Sequence, residues 1–197
     1  MPTEFRIEKG FPEDQRTTAA LLFWQAFRGK LGKILAPEPK ALQLCELLLN
    51  QEFALSALSP EGELLGMAGF KTDEGALVDG TLEDMRSVYG LWGGFWRGLI
   101  LDVLEREATS NQLLMDGIFV SEKARGNGIG TALLEAVFEE GRQRGLSSVR
   151  LDVIDTNPRA RALYERAGFK ATKSEETGPF KHVFGFSSST RMERQIC

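Results

Sequence analysis

Cysteine is scarce: the chain has two, Cys45 and Cys197. One sits in an apolar helical pattern and the other is the last residue, so together they form neither a disulfide framework nor a zinc spacing. No metal is implied. An excess of positive charge is also lacking, with a formal net charge of −4 and a pI near 5.3. Bulk charge therefore gives no reason to expect nucleic acid as a partner. Long hydrophobic runs are missing too. The longest apolar stretch, around Leu91 to Leu104, is interrupted by Arg97 and Asp102 and is too short to cross a bilayer. The opening residues, MPTEFRIEKG, are too polar for a secretory signal. Repeats and low-complexity segments are absent. What is left reads as a cytoplasmic protein that does not engage membranes. Its 197 residues, 42% hydrophobic and 26% charged, suit one domain over residues 1–197 with a full-sized core.

Along the chain, Phe5 to Glu8 alternates like a short first strand. Asp14 is a candidate cap for a helix through Leu21, Leu22, Trp24 and Phe27 that ends near Gly29 and Gly32. After a break at Pro37 and Pro39, a second helix carries Leu42, Cys45, Leu48 and Leu49 on one face. Phe53 to Leu58 and Glu63 to Phe70 read as a hairpin turning at Ser59 to Gly62. Next comes an insert, Asp73 to Gln112, helical from Met85 to Glu107 but interrupted by Gly90, Gly93, Gly94 and Gly98, which predicts two helices or one bent one. Leu113 to Val120 is a strand and Ile129 to Gln143 a helix burying Leu133, Leu134, Val137 and Phe138. Ser147 to Ile154 is a strand, Pro158 opens a helix that ends at Gly168, and a strand follows Phe169. A last strand lies between His182 and Arg194. This order predicts a mixed central β-sheet flanked by helices, an α/β (α+β) fold, with one parallel crossover.

The most informative stretch is Arg125-Gly126-Asn127-Gly128-Ile129-Gly130-Thr131, which leaves a strand and opens a helix. Glycines there let backbone approach a ligand closely, and the free amides of the helix start suit a diphosphate. It is not a P-loop, because Gly-Lys-Ser/Thr is missing, and not a dinucleotide fingerprint, because the last glycine comes one residue early. A tight strand-to-helix connection without a ligand is the alternative.

Arg125 to Gly130 resembles the Q/R-x-x-G-x-G/A motif of GNAT acetyltransferases. Asn157, Ala160, Tyr164, Gly168 and Phe169 resemble that family's following motif, N-x-x-A-x-x-x-Y-x-x-x-G-F. Two motifs in the right order are more specific than either alone, and the resemblance runs from about Leu113 to Ala171. It implies a GNAT-like acyl-CoA N-acyltransferase fold and an enzyme that moves acetyl from acetyl-CoA to a primary amine of a small molecule, peptide or protein. It also implies that Arg125, Gly126, Asn127, Gly128, Ile129, Gly130 and Thr131 hold the pyrophosphate. The strand end Ile118, Phe119 and Val120, together with Asn157, would line the rest of the coenzyme. A bulge in that strand would turn amides toward the thioester, and Gly117 is where such a bulge is expected. The insert departs from the family pattern, in which the third and fourth strands are joined more closely.

Tyr164 is the candidate acid for the departing thiolate, since a phenol with pKa near ~10 is protonated at neutral pH. It follows Asn157 by about two helical turns, so both can face one groove. Asp152 is the candidate base, with Asp116 as rival; a strand-edge charge or an arginine pair is the alternative for each. His182 lies outside both motifs and is expected to be structural or solvent-facing. Trp92, Phe95 and Trp96 form an aromatic cluster in the insert. Core packing is the expectation for it, with a wall of the acceptor site or a homodimer contact as alternatives. A non-catalytic acyl-CoA sensor is the competing function.

Overall fold

The computed structural model describes residues 4–102, 111–178 and 185–196. Its centre is an eight-stranded sheet. The strands are β1 (Arg6–Lys9), β2 (Ala54–Leu58), β3 (Leu64–Thr72), β4 (Gly75–Ala76), β5 (Gln112–Val120), β6 (Ser148–Ile154), β7 (Lys170–Glu176) and β8 (Ser188–Gln195). They lie in the order β1-β2-β3-β5-β6-β8-β7, with β4 paired to β3. Only β5 and β6 are parallel; every other pairing is antiparallel.

The helices are α1 (Arg16–Leu31), α2 (Glu38–Leu48), α3 (Leu82–Asp102), α4 (Ile129–Gln143) and α5 (Pro158–Arg166). α1 packs on β3 and β5, and α2 packs on α1. α4 lies across the opposite face, where Leu113 and Val149 reach Gly141. Sandwiched in this way, β2 is buried along its whole length. The edge strand β7 is exposed throughout, and its lysines and glutamates discourage pairing with another chain.

Asp14 does not cap α1. It sits in a 3-10 turn over Glu13–Gln15, and no side chain caps the helix. Arg16 anchors the helix start instead, pairing with Glu13 at 2.6 Å and donating to the Leu49 carbonyl at 2.8 Å. The insert holds β4 and α3, two helical segments joined at Gly90, where φ is 75° and ψ is 173°, and folded back so that Gly94 lies against Arg86 and Gly98 against Leu82. Among the described residues no helix is long and apolar enough to cross a membrane. His182 and Cys197 lie outside the described residues.

Candidate active site

β5 carries one residue more than its partner. Gly69 stands opposite Gly117, but Phe70 stands opposite Met115, so Asp116 is the extra residue of a bulge beside Gly117. The bulge exchanges the faces of the strand. Before it, Leu113 points at α4 while Leu114 and Asp116 line a cavity beneath α1 and α2. After it, Phe119 turns toward α1, its ring 5.6 Å from Phe23 and 5.5 Å from Phe27.

β5 and β6 pair only from Gln112–Ser148 to Leu114–Arg150. Beyond that point β5 stays bonded to β3, and β6 to β8, but not to each other. The sheet therefore parts into a wedge at the carboxyl ends of its two parallel strands. That is the usual ligand crevice of such sheets, and it leaves backbone groups on both walls without a ladder partner. Ile118 and Val120 flank it, half-buried.

The helix starts that follow the two strands close the mouth of the wedge. Gly126 and Gly128 have φ of 83° and 81°, which folds the loop into left-handed turns, and nothing lies within 4 Å of where a Cβ would stand at either. Asn127 braces the loop from below, its Nδ2 donating to the Ala124 carbonyl at 3.1 Å. Arg125 is tied back to the strand end through Nε and the Val120 carbonyl, 3.2 Å. No side chain caps α4, so the amides of Ile129, Gly130 and Thr131 in its first turn face outward with the positive end of the helix. Uncapped amides beside open, Cβ-free backbone fit a pyrophosphate.

α5 begins at Asn157, whose Oδ1 accepts from the Ala160 amide at 3.2 Å; this residue caps its helix. Leu163 comes within 3.7 Å of where a Cβ on Gly130 would stand, so the start of α4 adjoins the middle of α5. Tyr164 is 7% exposed, its ring 5.8 Å from Phe169, which in turn stands 5.7 Å from Phe138 of α4. Its phenol makes no hydrogen bond to a described residue. Burial pushes its pKa up to about 12, so it keeps its proton across the physiological range.

Asp152 lies on the other face of β6, alternating with buried Leu151 and Val153. Its carboxylate sits between two guanidinium groups, 3.4 Å from Arg150 and 3.6 Å from Arg191 of β8. It does not line the cavity, whereas Asp116 does.

The cavity, of about 630 Å³ and partly open to solvent, is lined among the described residues by α1, α2, Lys71 of β3, β4 and the segment after it, α3 and the bulge of β5. Phe23, Phe27, Leu44 and Phe95 give it an apolar wall, and Lys71 and Asp116 come from the sheet. Sequence reasoning missed this wall, because Phe27 reads only as part of a helix and Phe23 does not stand out. The aromatic cluster of the insert is not core either: Trp92 is 86% exposed, Phe95 51% and Trp96 42%. Beyond Gly90, α3 packs on its own first half through Gly94 and Gly98, and its aromatic side chains are left largely outward. Of the three aromatics only Phe95 lines the cavity.

A model of the acetyltransferase (GNAT) family matches residues 21–169. The thialysine N-epsilon-acetyltransferase of Bos taurus is 32% identical over 81 residues, 41% of this chain and 46% of that protein. The probable N-acetyltransferase family 8 member 5 of Mus musculus is 33% identical over 113 residues, 52% of this chain and 50% of that protein. The chain spans half or less of the length of the curated relatives it matches. Among solved structures, an N-acetyltransferase from Staphylococcus aureus Mu50 superposes with a TM-score of 0.69 at 17% identity, covering 96% of this chain and 100% of that one. At that identity the likeness is one of fold.

Proposed function

The chain belongs to the acetyltransferase (GNAT) family, and from that premise we propose that it transfers acetyl from acetyl-CoA to a primary amine. The observation that carries the reading is the wedge between β5 and β6, closed at its mouth by the uncapped start of α4. Acetyl-CoA supplies an activated acetyl group as a thioester. In this reading the amides of Gly126 to Thr131 hold the pyrophosphate. The unpaired edge of β5 from Ile118 to Val120 runs beside the pantetheine arm, and the bulge at Asp116 aims backbone toward the thioester. Asn157 contributes by setting where α5 starts, and so where Tyr164 stands.

The transfer forms one N–C bond and breaks one C–S bond. An ammonium acceptor sheds two protons in becoming an amide. One restores the proton that Tyr164 gives to the departing sulfur, and the other leaves to solvent. Of the two carboxylates, Asp116 is the better placed to meet the amine, because it lines the cavity. Asp152, the first candidate for base, is engaged with Arg150 and Arg191 and is better read as positioning them. Turnover losses in D116N and D152N rank the two.

The test of the coenzyme site is Gly128→Glu. Any side chain at this φ of 81° is strained, so Gly128→Ala serves as the control for strain alone. Glutamate adds negative charge where phosphate should sit. Calorimetry should show acetyl-CoA affinity lost in Gly128→Glu and largely kept in Gly128→Ala; unchanged affinity in both removes the assignment. A sensor without catalysis would bind acetyl-CoA and release no free CoA with any amine.

A further inference from the structure

We propose that the cavity under α3 selects a free, small primary amine with an apolar body, an alkyl or arylalkyl amine, entering with its nitrogen toward Asp116. This rests on the acetyl-transfer reading above and adds the class of acceptor.

Among the described residues β5 lends the cavity Leu114 and Asp116, and Asp116 is the extra residue of the bulge at which the wedge begins to open. An acceptor that is to meet the thioester must therefore bring its nitrogen to that end. Phe23, Phe27, Leu44 and Phe95 offer hydrocarbon surface to the body of such an amine. Among the described residues the charged groups lining the cavity are Lys30, Lys71, Asp79 and Asp116, and most of the other described lining residues are apolar, so burial of apolar surface discriminates among amines.

The volume argues in the same direction. About 630 Å³ falls within the usual range for sites that enclose a whole small ligand. The insert supplies part of the wall: Leu82, Met85, Phe95 and Gly98 of α3 line the cavity together with residues of α1 and α2. A protein or peptide acceptor would have to bring its backbone past that helix, whereas a free amine fits beneath it. Phe95, 51% exposed, is the wall residue that can be changed with least risk to the fold.

Free CoA release is measured with n-alkylamines from butyl to octyl, with a diamine matching the longest, and with a lysine-containing peptide. Each methylene should raise kcat/KM by roughly fourfold until the cavity is full, as expected for one buried CH2. The diamine should fall at least about tenfold below its monoamine counterpart, since its second ammonium would leave water for a largely apolar cavity that also carries Lys30 and Lys71. Phe95→Ala should cost octylamine about tenfold in kcat/KM and butylamine less than about twofold, with acetyl-CoA affinity unchanged by calorimetry. A series flat in chain length, or a peptide or diamine that matches the best monoamine, overturns the proposal while leaving acetyl transfer intact. Failure to bind acetyl-CoA at all overturns both.

Discussion

Tyr164 stands or falls on one oxygen. Its ring is packed against Phe169 and its phenol has no hydrogen bond to a described residue, so Tyr164→Phe should cost little stability. A phenol near 12 would give its proton uphill to a finished thiolate, whose pKa lies around ~8.5 for an ordinary thiol. Transfer must then be coupled to the proton leaving the acceptor. That places the expected loss of turnover in Tyr164→Phe near the lower end for a general acid, about 10²-fold, with acetyl-CoA affinity unchanged. The pKa also implies that Tyr164 produces no loss of rate below about pH 11. Wild-type turnover in the variant, measured where chemistry is limiting, removes Tyr164 from the mechanism and leaves the coenzyme site standing. Cys45, by contrast, is a poor candidate for any chemistry, since burial pushes its thiol up to about 12.

Among the elements, α4 does two jobs at its two ends. Its start is left open for an anion, and its last turns are pinned to the sheet. Glu140, 4% exposed, pairs with Lys9 of β1 at 2.7 Å and with Arg144 at 2.8 Å. Arg144 also reaches Glu74 at 2.7 Å and lies over the Phe53 and Phe70 rings. Burial pushes the Glu140 carboxyl up, but the Lys9 and Arg144 partners outweigh it and hold it below the ordinary value. Glu140→Gln should therefore lose about 2–3 kcal/mol at pH 7, less than a fully buried pair because Lys9 is largely exposed. A folded-state pKa below the unfolded one means this stability is present above the unfolded value and disappears as pH falls through the folded one. Denaturant titrations of wild type and variant should differ at pH 7 and converge in acid. A gap that persists at low pH would mean that shape, and not charge, holds α4 there.

At the scale of the whole molecule, two distant tyrosines share one consequence. Burial raises Tyr164 to about 12 and also raises Tyr89 to about 12 against the opposing pull of Arg97, and Tyr89 donates to the Leu35 carbonyl. Both ionise near ~10 in an unfolded chain, so their contribution is whole below that and drains away as pH rises toward 12. Unfolding free energy should fall between pH 10 and 12, and Tyr164→Phe should remove part of that slope; an unchanged slope would show that the phenol titrates alike in both states. Much else about the molecule follows from local sequence. The spacing of Leu133, Leu134, Val137 and Phe138 was enough for α4, the glycines from 126 to 130 for its open start, and Asn157 with Pro158 for the start of α5. These depend on residues within a turn or two of each other, where the chain's own stereochemistry decides. Alternation along β6 put Asp152 on the right face but could not reveal Arg191, which arrives on β8 after that strand inserts between β6 and β7. Aromatic residues in a helical pattern predicted burial for Trp92 and Trp96, and nothing local could say that α3 would be left uncovered on one side. The sequence by itself determined the family and the open, glycine-rich start of α4. Only the tertiary structure decided the parting of β5 from β6, the partners of Asp152 and the cavity beneath α1 and α2, because each is made by segments far apart in the chain whose meeting depends on the whole packed sheet.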